Sequence, residues 1–379
     1  VRERMLRKSL YAVIVALLVP ATVQTQEFEF EVVADAEASA VKSQGRTGTC
    51  WSFATTSMLE SELVRQGKEP VDISEMFFVR MNYPLKVANY VRLHGTAAMG
   101  QGSLGGDVLR ALRLYGVVPE AAYPGRRYGA EEHDHSEMHS VLRGASDALV
   151  EARQLSPVWA DAVEGILDAY LGEPPETFMY GGQSYTPHSF AEALGIDADD
   201  YVELTSFSHH PFYTSFAVEV PDNWARNVSF NLPLDELIEV MDHAIEHGFT
   251  IDWDGDVSER SFCQNNGVAV WPLKTWAERD AAERNTMCAA PEPEVEVTQD
   301  VRQAGFDDYT STDDHLMHVT GLARDQHGTK YYITKNSWGL TGPQDGFIYM
   351  SEAYVRAKTI SILLHRDALP PSVAARMDE

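Results

Sequence analysis

The most chemically loaded string in the chain is Gln44-Gly45-Arg46-Thr47-Gly48-Thr49-Cys50-Trp51-Ser52-Phe53. A cysteine attacks as its thiolate, so a nucleophilic Cys50 needs a microenvironment that favours loss of the proton. The residues after it have helical spacing, with Phe53, Ala54, Met58 and Leu63 on one face, so Cys50 falls on the first turn of a helix. The positive end of the helix dipole would then act on the sulfur. Gln44, six residues upstream, is placed to fold its amide back beside the Cys50 N–H, giving two donors for the oxyanion of a tetrahedral intermediate. A lone cysteine at a helix start is more often a small buried hydrophobe, so this string needs partners from elsewhere in the chain.

The elements that must carry such partners follow a simple order. Helical patterns dominate early: Cys50 to Arg65, Ser74 to His94, and Gly106 to Tyr115 after a glycine-rich turn. Residues 126–231 read as inserted material, with helical stretches at Ser140 to Gln154 and Ser156 to Leu171 between Pro- and Gly-rich links. An amphipathic helix is expected over Leu234 to His247, with a strand at Phe249 to Trp253 and an exposed Pro/Glu-rich linker from Ala289 to Thr298. The last third alternates strands with turns: Met317 to Ala323, Lys330 to Lys335, Gly346 to Ser351 and Thr359 to His365. Helices first and strands last predict an α+β chain built in two halves. The expected divisions are a helical half over 41–125, the insertion over 126–231, a β-rich half over 232–365 and a tail over 366–379.

Composition narrows the class. With 379 residues, 44% hydrophobic and 23% charged, the chain is an ordinary globular protein. Thirty basic against 57 acidic side chains give a net charge of −27, which argues against nucleic acid or an anionic membrane as a main partner. Residues 1–26 have the form of a signal peptide: a basic start at Arg2, Arg4, Arg7 and Lys8, then an apolar run from Leu10 to Ala21. That run is short of the about 20 residues a spanning helix takes, although an uncleaved anchor is the alternative. Export to a periplasmic or extracellular space is the expectation. Three cysteines form no disulfide framework; Cys263 and Cys288 could pair, leaving Cys50 free.

Four separated blocks resemble papain-like cysteine peptidases, most closely the branch of aminopeptidase C and bleomycin hydrolase. The first is Gln44 to Phe53. The second is Asp313-Asp314-His315-Leu316-Met317-His318-Val319-Thr320-Gly321. Strand alternation puts His315 and His318 on opposite faces, and the family spacing of six from histidine to glycine, matched by His315 and Gly321, selects His315 as the base. The third is Asn336-Ser337-Trp338-Gly339. There the resemblance implies that Asn336 orients the imidazole and that Trp338 covers their hydrogen bond. The fourth is Gln101 to Asp107, in which Gly105 and Gly106 resemble the glycines that let a substrate backbone lie against the cleft.

The resemblance implies a papain-like fold, with a helical half and an antiparallel, barrel-like β half enclosing the site. It implies a peptidase that takes peptide substrates through Cys50, His315, Asn336 and Gln44, with no cofactor and no metal. In that branch the C-terminal carboxylate lies in the cleft and meets the substrate's free amine, and the subunits often form hexamers. The tail from Asp367 to Glu379 does not match the family ending, so an endopeptidase is the alternative. A silent scaffold on the same fold is the reading from another class. The short stretch from Glu27 to Ser43 is too small for an inhibitory propeptide. Two further groups read as decoys: His133, His135 and His139 as a solvated loop rather than a metal site, and His209-His210 without a partner motif.

Overall fold

A computed structural model of the chain describes residues 27–127, 129 and 131–377, so the leader expected at 1–26 lies outside the described residues. Six helices come first: α1 (Cys50–Arg65), α2 (Glu75–Arg92), α3 (Gly105–Tyr115), α4 (Ser136–Glu151), α5 (Trp159–Leu171) and α6 (Pro187–Leu194). Their apolar faces form one core, to which α4, α5 and α6 supply Met138, Leu142, Val163, Leu167 and Phe190. Ser74 caps α2 by accepting the Phe77 N–H at 3.1 Å, which fixes where that helix starts. The later helices are α7 (Leu234–Glu246), α8 (Ala281–Asn285), α9 (Gln299–Asp307), α10 (Glu352–Lys358) and α11 (Pro371–Met377).

The strands are β1 (Phe30–Asp35), β2 (Phe178–Tyr180), β3 (Gln183–Tyr185), β4 (Tyr201–Thr205), β5 (Ser215–Phe216), β6 (Ser229–Asn231) and β7 (Ile251–Gly255). They continue with β8 (Phe262–Cys263), β9 (Val268–Ala269), β10 (His315–Asp325), β11 (Lys330–Lys335), β12 (Phe347–Ser351) and β13 (Thr359–His365). All but the β2–β3 hairpin join one sheet in the order β5-β6-β4-β13-β7-β10-β11-β12-β9-β8, with β1 added on the far part of β10. The α+β class is as expected, but the β half is an open mixed sheet rather than a closed antiparallel barrel. Its end strands β5 and β8 do not pair with each other, and β4–β6 and β12–β9 run parallel. The inserted region also contributes β4, β5 and β6 to that sheet.

Strand β10 is the spine. Met317 and Val319 on one face pack into a second core with Leu237, Ile238 and Met241 of α7, while Leu316 joins the helical core on the other. Gly321 is needed where β1 crosses, because a Cβ there would stand 2.5 Å from the Ala34 carbonyl oxygen. Helix α1 lies against this spine through buried polar contacts: Ser57 Oγ meets His318 Nδ1 at 2.8 Å and accepts from Lys335 Nζ at 2.8 Å. The N-terminal segment is tied to the same helices by Lys42, whose ammonium pairs with Glu75 at 2.6 Å and Glu60 at 3.4 Å.

Gly105 and Gly106 open α3 where it meets the sheet. A Cβ at Gly105 would lie 2.3 Å from Asp252 Oδ2 of β7 and 3.0 Å from Leu363. Overpacking of this kind costs about 2 kcal/mol. Gly105→Ala is therefore expected to shift the urea midpoint down with an unchanged slope, and equal midpoints would remove glycine's packing role here.

Candidate active site

Helix α1 begins at Cys50 with its first donors open. Thr49, the residue before it, makes no capping hydrogen bond; its hydroxyl is engaged with Thr47 Oγ1 at 2.5 Å. The Cys50 N–H has no hydrogen-bond acceptor among the described residues, leaving an uncapped helix start at the nucleophile. Gly48 and Trp51 fasten this turn to the next segment. The Gly48 N–H donates to Gln101 Oε1 at 2.9 Å, and Trp51 Nε1 donates to the Gln101 carbonyl at 3.1 Å.

Cys50 is 7% exposed, and its sulfur accepts from the backbone N–H groups of Leu316 and Trp51. Leu316 directly follows His315, so the start of β10 lies beside Cys50. His315 Nε2 stands 2.8 Å from Asn336 Oδ1. The amide's orientation is set twice over: Asn336 Oδ1 also accepts the Ser337 N–H at 2.7 Å, and Asn336 Nδ2 donates to Gln264 Oε1 at 3.0 Å. His315 Nε2 is therefore the protonated nitrogen, and Nδ1 keeps the lone pair that a base requires. The Trp338 ring lies 4.7 Å from the imidazole, tilted by 33°, and roofs the pair while staying 38% exposed.

The register of β10 against β7 is regular from His315 to Val319, so His315 and His318 fall on opposite faces as strand alternation predicts. His318 points toward α1, but it meets Ser57, two turns beyond Cys50. His315 reaches the site because it is the first residue of the strand. His318 is fully buried, and its Nε2 has no partner.

Gln44 is locked in place. Its Nε2 donates to the Thr47 carbonyl at 2.6 Å, its Oε1 accepts from Ser337 Oγ at 2.7 Å, and its backbone N–H donates to the Ser337 carbonyl at 2.9 Å. The second Nε2 hydrogen remains for a ligand. One short segment, 336–339, thus orients the histidine and the glutamine together, with Gly339 N–H closing onto the Lys42 carbonyl at 3.1 Å.

Burial dominates the titration of the site. It pushes the Cys50 thiol up to about 12, against the two backbone N–H groups that favour the thiolate, and Asp313 and Asp254 push the same way as burial. Burial also pushes His315 down to about 4, opposed by its bond to Asn336. Burial thus works against a charge on either group taken singly. A proton passed from the thiol to the imidazole would leave the net charge of the site unchanged.

Comparison with known proteins places the chain in a family. Residues 105–379 match the family model described as Peptidase C1-like family, and residues 26–141 match the papain family cysteine protease model. The chain belongs to the Peptidase C1-like family. Aminopeptidase C of Streptococcus thermophilus is 25% identical, over 90% of this chain and 84% of that protein. Aminopeptidase E of Lactobacillus helveticus is 21% identical, over 87% of this chain and 81% of its own length. Among solved structures, PepW from Lactobacillus rhamnosus superposes with a TM-score of 0.69 at 18% identity, covering 92% of this chain and 84% of that one.

Within this Peptidase C1-like chain, several expectations need correction. Gly105 and Gly106 do not line the cleft: they are spent on seating α3 against Asp252 and Asn227. The glycine on the cleft wall is Gly102, beside Gly48, Cys50, Gln101, Ser103 and Leu316. The histidine loop is not solvated, because His135 is buried with neither ring nitrogen bonded, and burial pushes it and His133 down to about 4. His209 and His210 do have a partner: both rings meet the Glu219 carboxylate, at 3.0 and 2.7 Å, far along the sheet on Phe216 and Phe306. Cys263 and Cys288 form a disulfide, leaving Cys50 as the free thiol. Helix α11 is seated on the α7-side core through Val373, with Arg376 over the Tyr213 ring at 4.2 Å; none of its described residues lines the cleft.

Sequence reasoning missed Ser337, Gln264 and the role of Gln101 in fixing the nucleophile turn. Gln264 follows the disulfide residue Cys263 and had no local signal; only the fold brings it to Asn336.

Two outcomes follow from this geometry. Removing the base by His315→Ala leaves the sulfur to ionise into solvent, with its ionisation pushed up toward 12. Alkylation of Cys50 by iodoacetamide should then be slow at neutrality and rise about tenfold per pH unit through the alkaline range, whereas the wild type should already react at neutral pH. Identical profiles for both proteins would exclude His315 as the base. Gln264→Ala releases the Asn336 amide, and kcat should fall by roughly tenfold with KM little changed; an unaltered kcat would show the brace to be idle.

Proposed function

We propose that this papain-family cysteine peptidase is an aminopeptidase, removing residues from the free N-terminus of peptides. The observation that carries the catalytic assignment is the oriented His315–Asn336 pair arriving at an uncapped helix start that bears the only free cysteine. Cys50 Sγ passes its proton to His315 Nδ1 and attacks the carbonyl carbon. The oxyanion is met by the Cys50 N–H and by Gln44 Nε2. His315 then protonates the leaving amine as the C–N bond breaks, leaving a thioester on Cys50. Water, deprotonated by the same imidazole, attacks the thioester and releases the acid. None of these steps calls on a cofactor.

The exopeptidase part rests on the relatives, which carry the name aminopeptidase across most of their own length. A papain-like endopeptidase is the second reading, favoured by the seating of α11 away from the cleft. Export belongs to the proposal too: the leader-like residues 1–26 motivate it, and a disulfide between Cys263 and Cys288 suits an oxidising compartment. Assembly into a homo-oligomer is carried by resemblance alone, and sedimentation of the purified chain measures it.

The decisive assay compares one peptide with a free and with an acetylated amino terminus. Wild-type protein should cleave the free form and leave the blocked one almost untouched, while Cys50→Ala should cleave neither. Equal rates on both forms would make it an endopeptidase, and turnover by the Cys50→Ala protein would remove the cysteine mechanism.

A further inference from the structure

Two of the groups that hold His315 are themselves touched by one short strand, β8. Trp338 roofs the imidazole, and the Phe262 ring meets Trp338 edge-on, with 6.0 Å between centroids and 73° between planes. Asn336 orients the imidazole, and its Nδ2 donates to Gln264 Oε1 at 3.0 Å. Phe262 and Gln264 are two residues apart, so strand alternation sends both to one side and Cys263 to the other. There Cys263 is bonded to Cys288.

The disulfide joins a lightly held stretch to a firmly held one. Among the described residues β8 pairs only with the two-residue β9, and none of residues 262–266 is buried. Cys288 is the opposite case: it is 2% exposed and packs with Val268, Val270 and Tyr331. The remaining side-chain contact of Gln264 returns to the catalytic loop, where its Nε2 reaches Thr341 Oγ1 at 3.4 Å. Gly342 of that loop lies so near that a Cβ would stand 2.3 Å from the Gln264 carbonyl oxygen. A brace needs an anchor outside what it braces. Beyond the short β9 ladder, the bond to Cys288 supplies one, 25 positions along the chain.

We propose that the Cys263–Cys288 disulfide is a clamp that positions the catalytic imidazole through Gln264 and Phe262. The assignment rests on the reading of His315 as base and Asn336 as its orienting residue. Cys263 and Cys288 are positioning residues, and their effect falls on turnover rather than on substrate capture, because the hollow beside Cys50 is lined by other segments. A dithiol opens the clamp by exchange. Its thiolate attacks Cys263 Sγ, and Cys288 leaves as a thiolate that takes up a proton. The second thiol of the reagent then displaces Cys263 and closes the reagent's own disulfide, so the protein gains the two electrons that the dithiol loses. A reductant therefore acts in opposite senses on this chain: it keeps Cys50 a free thiol, and it slackens the clamp.

The test uses full-length wild type, Cys263→Ala/Cys288→Ala, Gln264→Ala and the triple variant, on a peptide that wild type cleaves. Turnover is referred to the number of Cys50 thiols that iodoacetamide labels. The cysteine variant should lose about tenfold in kcat with KM little changed, the scale of a supporting contact. The triple variant should be no more than about twofold slower than Gln264→Ala, because both changes undo one brace. Losses that multiply in full, or an unchanged kcat in the cysteine variant, overturn the clamp. If the cysteine variant does not fold, folded wild type is titrated with dithiothreitol. Its kcat should then fall in step with the appearance of free Cys263 and Cys288, read by mass after alkylation, and a level kcat as the disulfide opens overturns the clamp. His315→Ala separates the two failures. Full turnover by that variant removes the base and the clamp together, whereas an inactive His315→Ala beside a full-speed cysteine variant removes the clamp alone.

Discussion

The catalytic arrangement depends on a seam of buried hydrogen bonds between α1 and the sheet. Cys50 opens α1 and His315 opens β10, so the contacts between that helix and the sheet set how the two approach each other. Beside the apolar packing of Leu316 the seam carries a chain of polar contacts: Ser57 joins His318 and Lys335, Lys335 also donates to Ser39 at 3.0 Å, and Ser39 and Lys42 both reach Glu60. Apolar packing is tolerant of small slides, whereas a buried network with directional partners is not. Hydrogen-bond geometry therefore sets the register of nucleophile against base. Lys335 shows the cost, since burial pushes its ammonium down to about 8 even with Glu60 and Glu75 nearby.

The segment 336–339 extends that seam to the chemistry. Asn336 orients the imidazole, Ser337 holds the Gln44 side chain, Trp338 shields the pair and Gly339 ties back to Lys42. Because one turn performs all four tasks, the imidazole and the oxyanion donors keep a fixed relation even though they come from distant parts of the chain. Desolvation works against a charge on the thiol and on the imidazole taken singly.

Much of this could be read from residue order, for reasons that differ by element. Helices α1, α3 and α7 and strands β11 and β13 stood out because their apolar periods were undisturbed, and their observed limits fall within a few residues of those read from the pattern. Cys50, His315, Asn336 and Gln44 drew the catalytic reading because each sits in a short string of unusual residue types. What stayed hidden was three-dimensional in origin. Gly105 and Gly106 look like cleft glycines in sequence, yet only the approach of Asp252 reveals their task. Gln264 lies in a loop without any motif, and closure of the barrel cannot be judged from strand patterns, because it depends on whether the outermost strands meet.

Those outermost strands have a consequence of their own. β5 and β8 are two residues long, one pinned beside the His209–Glu219 cluster and the other anchored by the disulfide at Cys263. An open sheet of eleven strands otherwise presents two long ladders of unmet peptide groups, the usual template for lateral fibre growth. Ending each side in such a stub leaves a foreign strand almost nothing to zip onto, which protects the protein from colloidal loss at high concentration.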